Sequence, residues 1–185
     1  METIAPSTTT WKLDPAHSTV EFSVRHMMIT TVKGGFGGVE GSVTVDGEDT
    51  SNSGVEVEID AASIDTRTEQ RDDHLRSGDF LDVENHPFIT FRSTGVKGSF
   101  ADPGDSSTVT GELTIRGTTK PVELDVTYQG DGIDPWGGER KSFSARATID
   151  RRDFGLTWNQ TLESGGILVG HDIKLAVEAQ FVKEG

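Results

Sequence analysis

Apolar and polar residues alternate along most of this chain, and that pattern constrains the fold more than any other feature. Only a β-strand sends successive side chains to opposite faces, so period two marks half-buried strands. "TVEFSVRHM" sets Val20, Phe22, Val24 and His26 on one face, with Glu21, Ser23 and Arg25 on the other. "GGFGGVEGSVTVD" groups Val39, Gly41, Val43 and Val45, with Phe36 out of register, which places a bulge or bend near Gly37 and Gly38. "GVEVEID" groups Val55, Val57 and Ile59, and "FITFRST" groups Ile89 and Phe91. "TVTGELTIRG" aligns Val109, Leu113 and Ile115, while "PVELDVTYQG" aligns Val122, Leu124, Val126 and Tyr128. "SFSARATID" presents Phe143, Ala145, Ala147 and Ile149, and "DIKLAVEAQF" presents Ile173, Leu175, Val177, Ala179 and Phe181.

These eight segments predict an all-β protein. "IRGTTKP" at 115–121 reads as a tight hairpin, and short turns elsewhere point to an antiparallel meander. Two closures fit: an eight-stranded barrel, which removes exposed edges, and a two-sheet sandwich. The barrel is preferred, and one of this size encloses either packed side chains or a small ligand. With 185 residues one domain is expected, over 11–183, preceded by a disordered segment at 1–10. Two long loops are expected at 130–141 and 153–171, the second carrying Trp158, Leu162, Ile167 and Leu168 as a lid or a cap.

The net charge of −14 comes with no basic stripe, which excludes nucleic-acid binding and disfavours anionic bilayers. There is no cysteine, so disulfides, thiolate chemistry and Cys-based zinc sites are excluded. "METIAPSTTTWKLD" has neither a basic n-region nor an apolar run, and no stretch is apolar enough for a membrane-spanning helix. A cytoplasmic protein without stable membrane insertion is expected.

One stretch breaks the alternation. "EQRDDHLRSGDFLD", 69–82, crowds acidic and basic residues around His74. Thr66 and Glu69 have the spacing of a capping box and Gly78 that of a helix C-terminus, predicting a helix over about 67–77 with Asp72 and Arg76 paired at i, i+4. No carboxylate shares the histidine's helical face, so metal-binding spacing is missing. Leu75, Phe80 and Leu81 would anchor the helix as a lid over one end of the β-structure. "LDPAHS" offers Asp14, His17 and Ser18, but neighbouring His and Ser diverge, and a polar turn is expected rather than a hydrolase triad. His26 reads either as a polar handle at a barrel mouth or as a histidine satisfied by backbone. Neither a catalytic residue nor a metal site nor a cofactor is predicted.

Four segments in order, "WKLDPAHSTVEFSVRHM", "RDDHLRSGDFLDVENHPFITFRST", "GELTIRGTTKPVEL" and "IDRRDFGL", resemble the YceI-like family of bacterial polyisoprenoid-binding proteins, from about Trp11 to Phe181. The resemblance implies an extended eight-stranded antiparallel lipocalin-like β-barrel, one helix over the charged stretch, and a homodimer. It also implies a long isoprenoid chain, of polyprenyl or quinone type, held in the apolar lumen by a carrier, storage or sequestering protein rather than an enzyme. Many relatives are exported, and this sequence departs from them in showing no signal. The lining expected from the first half of the chain is Val20, Phe22, Val24, His26, Val43, Val57 and Ile59, then Leu75, Phe80 and Phe91. From the second half it is Leu113, Ile115, Leu124, Val126, Phe143, Ala145, Ala147 and Trp158, then Leu175, Val177 and Phe181. Small residues such as Gly41, Ala145, Ala147 and Ala179 would leave room for a chain. The alternatives are an enzyme acting on such a lipid and an interaction protein whose barrel is filled by its own side chains.

Overall fold

The alternating segments do form strands, and the strands close into a ring. The computed structural model describes residues 8–184. In chain order the elements are β1 (Thr8–Leu13), β2 (Thr19–His26), β3 (Thr30–Phe36), β4 (Val39–Asp46), β5 (Gly54–Asp60) and β6 (Ile64–Asp65). Then follow α1 (Glu69–Arg76), β7 (Phe88–Lys97), β8 (Ser106–Ile115), β9 (Thr118–Ile133), β10 (Glu139–Asp150) and β11 (Val169–Lys183). Pairing runs β1-β4-β5-β7-β8-β9-β10-β11, and β11 returns to β1, so eight strands close an antiparallel barrel.

β2, β3 and β6 extend the same wall. On β11, Phe181 lies opposite Leu13 of β1, and Glu178 lies opposite Thr19 of β2. Thus β1 and β2 are two halves of one interrupted strand, as are β3 with β4 and β5 with β6. Each interruption has a local cause. Asp14 and Asp60 accept the backbone N–H of Ala16 and Ala62, turning single 3-10 turns at Pro15–His17 and Ala61–Ser63. Gly37 and Gly38 break the other strand, and a Cβ on Gly38 would stand 2.9 Å from that of Asp60.

β1 and β3 were not expected. "TTTWKL" and "TTVKGGF" carry too few apolar residues to alternate, yet Trp11 and Leu13 are buried. Thr8–Thr10, placed by sequence in a disordered segment, begin β1; residues 1–7 of that segment lie outside the described residues. The loop expected at 130–141 is mostly strand, with Ile133 paired to Glu139 across a turn held by Asp134. The tight hairpin is present: Ile115 pairs with Thr118 across Arg116 and Gly117, both with positive φ, as a type I′ turn requires.

The helix is shorter than the 67–77 expected. Arg67 has φ 66°, outside the helical region, and Thr68 is the N-cap. The capping box does not form. Instead the Thr66 N–H and hydroxyl both donate to Asp72 Oδ1, at 2.8 and 2.5 Å, in a buried pair. Arg76 pairs with Asp73 at 3.0 Å rather than with Asp72.

Apolar packing falls into two clusters. One, with Ile64, Leu81, Ile115, Phe154 and Leu156, lies under α1. The other, with Trp11, Leu13, Val39, Ala179 and Phe181, lies toward the opposite end. Among the described residues no helix is long and apolar enough to cross a membrane.

Candidate functional site

Between and beside these clusters the barrel is hollow. A cavity of about 590 Å³ runs along the inward faces of the strands. Val20, Phe22, Val24, Phe91, Leu124, Leu175 and Val177 all point inward yet are only half-buried, because one side of each faces open volume. Two glycines keep the largest rings out of that volume. A Cβ on Gly34 would stand 2.6 Å from Phe22 Cζ, and one on Gly111 would overlap the Phe91 ring. Each ring therefore lies back against a neighbouring strand instead of crossing the lumen.

The two ends differ. Every exposed lining residue, Gly47, Ser99 and Ala101, belongs to the β4–β5 and β7–β8 connections, so the lumen opens there. At the other end Leu75, Phe80, Leu81 and Leu156 close it. His74 stacks edge-on against Trp158 and Phe80, with centroids 4.7 and 5.1 Å away, and its Nε2 hydrogen-bonds Asp79 at 2.8 Å. Arg76 donates to the carbonyls of Ala62 and Ile64, and Arg71 to the carbonyl and hydroxyl of Thr66. The charges of 69–82 thus fasten α1 over the barrel end.

Arg151 completes the closure. It is 2% exposed, and its guanidinium donates to the carbonyls of Gly170, Leu156, Trp158 and Val169 at 2.6 to 3.2 Å. Burial lowers its pKa, and no carboxylate pairs with it among the described residues. The segment 156–170 is folded around this side chain.

Most residues expected from alternation line the cavity: Val20, Phe22, Val24, Val43, Val57, Ile59, Leu75, Phe80, Phe91, Leu113 and Ile115 in the first part of the chain. Leu124, Val126, Phe143, Ala145, Leu175, Val177 and Phe181 line it in the second. Three do not. His26 ends β2, beside the exposed turn Met27–Met28, and stays outside the lumen. Ala147 shares a face with Ala145 and Ile149, but its methyl does not reach the open volume. Trp158 packs on the outer side of the lid, against His74 and Phe80. Sequence reasoning missed Lys141, Arg151 and Phe100 as lining. Lys141 continues the inward row of Phe143 and Ala145, a signal hidden by assigning it to a loop.

The triad-like residues make a polar turn. Asp14 accepts from His17 Nδ1 at 2.8 Å and from Arg140 at 2.7 Å, while Ser18 donates to a backbone carbonyl. The Arg140 hydrogen bond, then that of His17, lowers the Asp14 pKa to about 2. Near the open end, burial and then the hydrogen bond to Asp131 raise the Tyr128 pKa to about 12. Among the described residues no group of three or more His, Asp or Glu stands close enough to hold a metal ion.

A family model, the YceI-like domain, matches residues 11–181. The chain is 44% identical over 140 residues to a UPF0312 protein of Pseudomonas aeruginosa, covering 76% of this chain and 71% of the relative. It is similar in structure to the Campylobacter jejuni YCEI protein, with TM-score 0.72 and 29% identity over 87% of this chain and 90% of that one. A polyisoprenoid binding domain from Saccharophagus degradans has the same fold, with TM-score 0.69 and 13% identity over 95% of this chain and 99% of that one.

Proposed function

This chain belongs to the YceI-like domain family, and from that premise we propose that its lumen binds the long apolar tail of an isoprenoid lipid, of polyprenyl or quinone type, as a carrier or sequestering protein. The observation that carries the proposal is the hollow, apolar interior. The apolar side chains around this volume of about 590 Å³ lack packing partners on the side that faces it. An apolar guest supplies those contacts, at roughly 0.8 kcal/mol per buried CH₂. The fold shared with a polyisoprenoid binding domain supports the ligand class.

Binding without turnover is favoured over catalysis by where the candidate groups lie. His74 is fastened to Asp79, Phe80 and Trp158, and His26 lies outside the lumen. The cavity itself weighs against a barrel filled by its own side chains. The resemblance also carries a homodimer into the proposal, which light scattering of the purified protein decides.

Native mass spectrometry of purified protein, with solvent extraction of what is released, tests the proposal. A prenyl lipid at near one per protomer is expected. A bare protein that also takes up neither added polyprenol nor quinone would overturn it.

A further inference from the structure

Three charged side chains line the apolar lumen: Asp46, Lys141 and Arg151. Arg151 is committed to four backbone carbonyls at the closed end. Asp46, at the mouth, accepts the N–H groups of Glu48 and Asp49 and holds its own loop. Lys141 is different. Among the described residues its ammonium has neither an ion pair nor a hydrogen bond, and Nζ lies 5.2 Å from the centre of the Trp11 ring and 5.3 Å from that of Tyr128. Two ring faces hold an ammonium in place without neutralising it. The carboxylate across from it in the β9–β10 register, Asp131, accepts from the Tyr128 hydroxyl at 2.9 Å.

Its position matters as much as its charge. Lys141 begins the inward row of β10 that runs through Phe143, Ala145 and Ile149 toward the lid, so the cation stands where the open mouth meets the apolar tunnel. A pure hydrocarbon guest would leave this ammonium unanswered, whereas an anionic terminus pairs with it.

Resting on the lumen-binding proposal above, we infer that the guest is a single-chain lipid with an anionic head, phosphate or carboxylate, whose head is held by Lys141 at the mouth while its tail extends toward α1. Glu48, Asp49, Asp102, Asp105, Asp131 and Asp134 all lie on connections or strand ends at this same end. They repel an approaching anion at long range, so added salt speeds loading of an anionic lipid by screening them.

The test titrates the full chain and its K141M and K141R variants with geranylgeranyl phosphate against geranylgeraniol, and with palmitate against hexadecanol. Wild type is expected to prefer at least one anionic lipid to its alcohol by tenfold or more, and the pair showing the preference identifies phosphate or carboxylate as the head. K141M is expected to remove that preference, and K141R to keep it. Equal wild-type affinity for acid and alcohol overturns the head assignment and leaves lumen binding standing. So does a preference that survives in K141M. Wild type that binds none of the four probes overturns the lumen-binding proposal as well. The wild-type comparison stands even if K141M does not fold.

Discussion

Two residues show how burial at the barrel ends turns ordinary groups into measurable ones. Tyr128 is the only tyrosine of the chain, so its ionisation can be followed by ultraviolet absorbance without interference. Burial and Asp131 raise its pKa to about 12, against an ordinary value near 10. The raised value favours the neutral ring, so this contribution to stability is complete below about pH 10 and is lost as pH rises through about 12. A phenolate midpoint near 10 in the folded protein would contradict that environment. Arg151 is the converse case, a cation whose partners are all carbonyls. In R151M four carbonyls lose their donor in a buried site, and a loss of roughly 3 kcal/mol is expected. For a chain of this size that lowers the melting temperature by roughly 6–12 °C, and calorimetry showing no change would refute the role. Neither residue's part was legible in "IDRRDFGL" or "DVTYQG". Alternation predicts which way a side chain points, but the partners of Arg151 come from a segment up to 19 residues away that has no period at all.

At the scale of the elements, the strands most visible in the sequence were those with an unbroken apolar face, such as β5, β8 and β11. β1 and β3 escaped notice because pairing on both flanks, not their own composition, makes them strands. The same dependence on neighbours hid the ends of β9 and β10, and with them Lys141. Glycine placement was legible only as a bend, whereas its larger effect is to seat rings. Gly34 lies opposite Phe22 in the β2–β3 register, and the Phe22 ring occupies the space a side chain there would fill. In Gly34→Val the Phe22 ring has to swing into the lumen. A loss of about 1–3 kcal/mol from overpacking is expected, together with at least a tenfold loss of lipid affinity. Gly37→Ala is the matched control, since nothing lies within 4 Å of an added Cβ there and its effect on binding is expected to be small. If Gly34→Val binds lipid as well as the control does, the rings do not govern the open volume.

For the whole molecule, the closed meander and the lid helix followed from pattern and from family resemblance, whereas the hollow lumen followed from the resemblance and not from alternation. Alternation cannot distinguish inward residues that touch each other from inward residues that face a void; only the half-buried state of Val20, Leu124 and Val177 does. A guest that fills the void links to global stability. Lipid at a hundred times its dissociation constant stabilises by about 2.7 kcal/mol, which moves the melting temperature of a chain this size up by about 5–11 °C. A loaded protein that melts with the stripped one would show that the lipid sits elsewhere. One end of the barrel is sealed by Arg151 and the stacked rings of His74, Phe80 and Trp158, which makes the passage a cul-de-sac and not a conduit. A guest that enters tail-first has to back out head-first along the same path. If the protein carries lipid as proposed, donor and recipient must meet the same rim, by turns and never at once.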